Sequence, residues 1–481
     1  PEAVDEKAAV DAKLALGASR RRLIHQAGGV KRLVDMLQSV SLSGTITARK
    51  MWELVSKVIG ASPNEESNSK GRKDAKDGED GLAKKSSFEV TEVIWSLQEQ
   101  AAATISEFVY GDVEMQDAMI EAGSVPPLLL LTRNGSVTAQ EHSARAIWHL
   151  CAATDNHGMI VDCGAITELV ALSKVGSARA QELAAAVISD LAKGAILERE
   201  QIMIRREKEM QETAKALGQP IPPKPSSFEE EGTVKETEMT GDDVKAPAPS
   251  AEDEEDIFAG DRLSAIAAAG GVIPLVGLVT NGNQMGKERA ASALWHLSVD
   301  VVNQVAIAKA GGIPPIVQLL DDGTKQAHEH AVAALARLST NNPENQAQIA
   351  KKLVGLLGHP DEGAQTRSAH ALWDLAENND GAPVRIVNAG AISPLVALLG
   401  TGSIEAKEEA VGALTCLAHN DPSNQLAIAT GLVALLGSGT AEAQEQVTQM
   451  LIKFAQHPDN RTAIAEAGAV QRLIVQLRGG G

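Results

Sequence analysis

Apolar and polar positions along this chain follow one repeating pattern. An eleven-residue block recurs without gaps: QEQAAATISEF from Gln98, QEHSARAIWHL from Gln140, QELAAAVISDL from Gln181 and KERAASALWHL from Lys287. It returns as HEHAVAALARL from His328, QTRSAHALWDL from Gln365, KEEAVGALTCL from Lys407 and QEQVTQMLIKF from Gln444. Apolar or small residues fall at its fourth, seventh, eighth and eleventh positions, the i, i+3, i+4, i+7 spacing of one helix face. Ala is frequent there, which suits close helix–helix contact. The second position is Glu in seven of the eight copies (Glu99, Glu141, Glu182, Glu288, Glu329, Glu408, Glu445), and Thr366 is the exception. A carboxylate in the first turn is favoured by the helix dipole. Ser136, Ser177, Thr324, Ser403 and Thr440 stand upstream, where they cap the helix start.

A second block lies between the copies. It reads NQVAIAKAGGIPPIVQLL from Asn303 and NRTAIAEAGAVQRLIVQL from Asn460, with relatives from Met115 and Asn156. Its pattern predicts a short helix capped by the Asn, a Gly that ends the helix in the left-handed conformation, and a Pro that opens a second helix. The copies from Asn345 and Asn424 lack the Gly-Ile-Pro-Pro corner.

Successive copies of the first block begin 42, 41, 106, 41, 37, 42 and 37 residues apart. The missing corner accounts for the short intervals, and an insertion accounts for the long one. The unit is therefore a short helix, a sharp turn, a second helix, a loop and a long third helix. No such unit buries its apolar faces alone; stacking against neighbours does. The chain reads as one all-α, right-handed solenoid rather than a set of globular domains.

Charge and composition refine this picture. The net charge is −19, and the segment 218–256 holds −9 of it, twelve acids against three lysines, with much Pro, Ser and Thr. Such a segment lacks the apolar surface to offset chain entropy and reads as disordered. A second mixed-charge break, 62–87, reads as a flexible loop. Between the repeats and the acidic loop, AILEREQIMIRREKEMQETAKAL (196–217 and its preceding Ala) reads as a charged helical extension. The organisation predicted is an N-terminal repeat in 1–61, the loop 62–87, repeats in 88–195, the extension 196–217, the acidic loop 218–256, and repeats in 257–481.

Aromatic residues are only 2% of the chain, which argues against nucleic-acid readers built on stacking platforms. The acidic balance argues against a phosphate-backbone binder. No stretch of 18 or more apolar residues marks a membrane span. Three cysteines cannot make a secreted disulfide framework and fit a reducing compartment. This points to the cytoplasm, with the nucleus or a cytoskeletal assembly as alternatives.

The tracts AIAKAGGIPPIVQLL, EAGAVQRLIVQL and NAGAISPLVALL are similar to the second-helix signature of the armadillo repeat family. The resemblance is greatest to its catenin and vacuolar-armadillo branch and more distant to importin-α. It implies about 9–10 armadillo repeats, some shortened, interrupted by two flexible loops. It also implies a binding scaffold whose third helices line a groove for extended peptides or partner helices. Trp148, Trp295 and Trp373, at the ninth position of the block, match the groove Trp of importin-α-like repeats, and Trp52 is a degenerate fourth. The Asn that follows four residues later in that family is replaced here by Ala152, Val299 and Glu377. The triplet Arg20–Arg22 is too short to resemble an importin-β-binding segment.

No catalytic constellation emerges. The histidines are repeat-derived, and the i, i+2 pair His328 and His330 does not share a helix face. No CxxC marks a zinc site, so Cys151, Cys163 and Cys416 read as buried, inert thiols. The AGG glycines precede Ile or Val rather than a phosphate-cradling Lys. No cofactor is expected. The groove candidates are Trp148, Trp295, Trp373, Arg145, His149, His296, Arg337, Glu141 and Glu288. The Glu column either favours the helix start or makes one groove wall acidic. The function expected is a non-enzymatic adaptor with protein partners. The alternatives are an importin-α-like transport adaptor and a structural component of a cytoskeletal or ciliary assembly.

Overall fold

The computed structural model describes residues 21–22, 25–26, 28–38, 98–217, 262–419, 421–438, 441–456 and 458–479. The loop 62–87, the acidic segment 218–256, Trp52 and Thr440 lie outside the described residues, as does most of the segment 1–61. The chain divides into two compact units, Pro1–Leu191 and Ala192–Gly481.

Unit 1 contains α1 (Gly29–Gln38), a helix at 98–109, α2 (Val113–Glu121), α3 (Val125–Asn134), α4 (Val137–Leu150), α5 (His157–Asp162) and α6 (Ala165–Val175). Its last helix, α7, runs from Ala178 to Leu217 and is one uninterrupted helix through the charged stretch into the second unit's residues. Unit 2 continues with α8 (Arg262–Ala268), α9 (Val272–Asn281), α10 (Gln284–Leu297), α11 (Val301–Lys309), α12 (Ile313–Asp322) and α13 (Lys325–Ser339). It ends with α14 (Pro343–Leu356), α15 (Glu362–Asn378), α16 (Ala382–Asn388), α17 (Ile392–Thr401), α18 (Ile404–Ala418), α19 (Pro422–Ser438), α20 (Ala441–Phe454), α21 (Pro458–Glu466) and α22 (Ala469–Gly479).

The eleven-residue blocks are the third helices. Their fourth, seventh, eighth and eleventh residues are buried in every copy, except Thr104 of the first. In α10 these are Ala290, Ala293, Leu294 and Leu297. Each large aliphatic side chain so buried stabilises the stack by about 1.5–3 kcal/mol. The small residues let successive third helices lie side by side, as α10 and α13 do, and α15 and α18.

The sharp corner is a left-handed glycine, for example Gly311 at φ 76° before α12 and Gly390 at φ 85° before α17. Pro stands in the first turn of α3 and α12. Where the corner is missing, the two short helices fuse into one: α14 spans 14 residues and α19 spans 17.

The caps differ in part from expectation. Ser136, Ser177, Thr324 and Ser403 each accept a backbone N–H at a third-helix start, as their positions predict. Asn283 and Asp361 do the same for α10 and α15. The conserved-looking Asn of the second block is not the cap of its own helix. Asp112, Asp300, Asn342 and Asp421, two or three residues before the capped N–H, fill that role. Asn156, Asn345, Asn424 and Asn460 instead turn backward and donate to Leu150 O, Leu338 O, Leu417 O and Phe454 O. The Gln that follows Asn345 or Asn424 donates to the next carbonyl, Ser339 O or Ala418 O. A buried amide thus closes the C-terminus of each preceding third helix, where orphan carbonyls otherwise face the core.

Among the described residues no single helix is long and apolar enough to cross a membrane. Two bent pairs, α8 with α9 and α16 with α17, reach that length only together and turn by 78°. Their bends are the repeat corners at Gly270 and Gly390, and Leu275, Val276, Leu395 and Val396 are core residues of unit 2.

Candidate functional site

The second, third, sixth, ninth and tenth positions of the third helix hold the candidate residues; most are exposed or half-buried, but Glu288 and His296 are buried. The three tryptophans are half-buried. Each lies against the tenth residue of the following third helix, and the chemistry met there differs each time.

In unit 1, the Trp148 indole donates to Asp190 Oδ2 at 2.9 Å. His149 packs between Trp148 (ring centroids 5.5 Å) and Tyr110 (4.9 Å). Its Nδ1 lies 2.8 Å from Ser106 O, so that nitrogen carries the proton and donates back to the preceding third helix. Burial pushes the His149 pKa down. Arg145 donates to His142 Nδ1 at 2.6 Å within its own helix, which leaves that nitrogen unprotonated; burial and then Arg145 lower the His142 pKa.

In unit 2, Arg337 donates to Trp295 O at 3.0 Å and sets its guanidinium 5.3 Å from the Trp295 ring centre. His330 stacks on the same indole at 5.6 Å, and His296 lies 4.6 Å from it. His296 is 6% exposed. Burial first, then the charges of Arg337, His330 and Lys193, bring its pKa to about 4. Burial also lowers the His330 pKa. Trp373 sits on the backbone of Gly412: a Cβ there would lie 2.5 Å from the indole Cδ2. Cys416 is within hydrogen-bond reach of Trp373, while burial and the charge of Glu377 raise its thiol pKa.

The structure therefore brings Trp148 together with His149, and Trp295 together with His296 and Arg337. Trp373 instead meets Gly412 and Cys416. Asp190 and Gly412 escaped the sequence reading, while His330 and Cys416 were read only as a repeat-derived histidine and an inert thiol. Comparing each Trp with the tenth position one repeat later would have found Asp190 and Cys416. Of the three thiols only Cys151 is buried; Cys163 and Cys416 are half-exposed, and none is disulfide-bonded.

Three glutamates of the column stitch repeats together, whereas Glu182 pairs with Arg179 of its own helix and Glu329 is exposed. Ser136 donates to Glu99 at 2.9 Å, Ser177 to Glu141 at 2.6 Å and Thr324 to Glu288 at 2.7 Å. Each hydroxyl at the same time caps the next third helix. Thr366, which replaces Glu, meets Ser403 at 3.5 Å. Glu288 is 4% exposed, so its carboxylate is turned into the stack. The triplet at 20–22 is likewise engaged where described: Arg21 pairs with Asp112 and Arg22 with Glu114. Among the described residues no group of His, Cys, Asp and Glu is arranged to hold a metal ion.

The family model for the Armadillo/beta-catenin-like repeat matches residues 112–152 and 379–419. The first tract runs from the cap of α2 to the end of α4, and the second from the start of α16 to the end of α18, so each is one whole three-helix unit. No curated protein matches the chain. Three crystal structures of engineered proteins from a structural genomics consortium are similar to it. The first is 25% identical, covers 80% of this chain and 91% of its own, and has a TM-score of 0.39. The second is 24% identical, covering 61% and 96% with a TM-score of 0.39, and the third 21% identical, covering 61% and 98% with a TM-score of 0.40. Armadillo repeats typically mediate protein–protein interaction. Each compact unit thus holds one whole match to this repeat, and the corner glycine and buried third-helix stripe recur in other units of the chain, so the chain carries armadillo repeats at 112–152 and 379–419 within an all-α repeat architecture.

Proposed function

We propose that the chain is a non-enzymatic scaffold that holds extended segments of partner proteins along the outward face of its third helices, in a cytosolic setting. The observation that carries this reading is the recurrence of a half-buried Trp at one position of three third helices. Each indole meets a residue of the next repeat and stays half-buried. Large, immobilised aromatic groups cost little further entropy on binding and are common anchors at interfaces. The positions where importin-α-like repeats carry Asn hold Ala152, Val299 and Glu377, which favours a catenin-like mode over nuclear-signal binding.

The test is capture of interaction partners by the wild-type chain and by Trp148→Ala, Trp295→Ala and Trp373→Ala variants. Folded fractions are matched by circular dichroism. The reading expects loss of shared partners from at least two variants. Equal recovery by all three at equal foldedness sinks it.

A further inference from the structure

The third-helix face of unit 2 changes sign along the stack. On α10 and α13 the outward residues include Arg289 and Arg337, and Lys193 acts on the same cluster. Glu288 there is buried and bound to Thr324, leaving Glu329 as the exposed opposing charge. Two repeats on, α15 and α18 present Asp374, Glu377 and Glu409, while Arg367, the counterpart of Arg289, donates to Leu320 O and pairs with Asp361. His370 lies between two of the three presented acids, 3.4 Å from Asp374 and 3.0 Å from Glu409.

The two tryptophans share a sequence position but not an environment. The Trp295 face is covered by the Arg337 guanidinium and the His330 ring, so an incoming cation meets the Arg337 charge there. Trp373, on the helix that carries Asp374 and Glu377, rests on Gly412 and meets Cys416, on which the Glu377 charge acts; a cation is attracted there by the indole and by that charge.

We propose that this face docks an extended protein segment of mixed charge, with acidic residues over Trp295 and Arg337 and basic residues over Trp373 and Glu377. This deepens the scaffold reading above and rests on it. A uniformly basic segment, which the net charge of −19 would attract in bulk, is repelled at the Arg289–Arg337 end. The spacing follows from packing. Two steps between neighbouring helices at about 8–10 Å each make roughly 16–20 Å. An extended chain covers that in about five or six residues.

The test is fluorescence polarisation of the full chain at physiological salt with four labelled peptides. Two carry a Glu pair and a Lys pair separated by five neutral residues, one in each chain direction. The third carries only the glutamates and the fourth only the lysines. One mixed peptide is expected to bind roughly five- to tenfold tighter than either uniform one. Glu377→Lys, at an exposed position, is expected to weaken it by roughly two- to fivefold, the size of an exposed ion pair. An all-acidic peptide, with glutamates in place of the Lys pair and facing the new lysine, recovers part of the loss. Binding of the all-Lys peptide as tightly as the mixed one, no binding of any peptide, or indifference to Glu377→Lys overturns the proposal. If the Trp variants nevertheless lose their captured partners, the scaffold reading stands and this charge assignment alone fails.

Discussion

Gly412→Ala is the sharpest test of how Trp373 is held. A Cβ at Gly412 would sit 2.5, 2.6 and 2.8 Å from Cδ2, Cε3 and Cε2 of the indole, distances no real contact tolerates. The atoms met belong to a rigid bicyclic ring, so the whole side chain must shift. Overpacking of this kind costs about 1–3 kcal/mol. Against it stands the intrinsic gain of Ala over Gly inside a helix, about 0.8–1 kcal/mol. The balance is a net loss of up to about 2 kcal/mol, with a change in Trp373 emission. Gly277 in α9 and Gly355 in α14 supply the control, because an added Cβ there meets nothing within 4 Å. Gly277→Ala and Gly355→Ala are expected to stabilise the chain by about 1 kcal/mol each. Urea unfolding followed by circular dichroism, with tryptophan fluorescence recorded in parallel, separates the two cases by sign. If Gly412→Ala stabilises as much as the controls and leaves the emission unchanged, Trp373 does not rest on that backbone.

Two further outcomes follow from the same geometry. The Glu288–Thr324 stitch joins a buried carboxylate to a helix-capping hydroxyl. A double-mutant cycle with Glu288→Gln and Thr324→Val is expected to give a coupling of about 1.5–3 kcal/mol, that of a hydrogen bond to a charged group, and a coupling near zero refutes the stitch. His296 makes stability depend on pH with a fixed sign. Its folded pKa, about 4, lies below the ordinary 6.5, so the folded form resists protonation. The full contribution is present above pH 6.5 and is lost as pH falls toward 4. At pH 5 this amounts to about 1–2 kcal/mol. Melting of wild type and His296→Gln should therefore converge between pH 7.5 and 5, and parallel curves count against the burial of that imidazole.

What was legible in the sequence was the part that repeats. The stripe Ala290, Ala293, Leu294, Leu297 and its counterparts announce a helix and the face it buries, because burial imposes the same demand on every unit. The left-handed Gly311 and Gly390 announce the corner for the same reason. The Asn of the second block was misassigned as a cap of its own helix. Its side chain has two neighbouring helix ends in reach, and local pattern does not say which one supplies the unsatisfied group. The orphan carbonyls at Leu338 and Leu417 win because they are buried and no backbone donor follows them, whereas Asn342 and Asp421 already serve the N–H groups on the other side. The pairing of Trp295 with Arg337 joins residues 42 positions apart, and only the stacking register shows it.

The same contrast bears on where function lies. Packing accounts for the fourth, seventh, eighth and eleventh positions of the third helix, and the stitch accounts for three copies of the second. These columns stay nearly constant within the chain because every repeat faces the same neighbour. The tenth column behaves differently: within unit 2, His296, Arg337, Asp374 and Cys416 follow one another along it. It holds an imidazole, a carboxylate, a guanidinium and a thiol in one geometric setting. A purely structural role would select one solution and repeat it, as it does for Glu and Ser or Thr at the helix starts. A column that changes chemistry from unit to unit while its backbone stays fixed answers to something that also changes along its length. A bound segment with a different side chain over each repeat has that property.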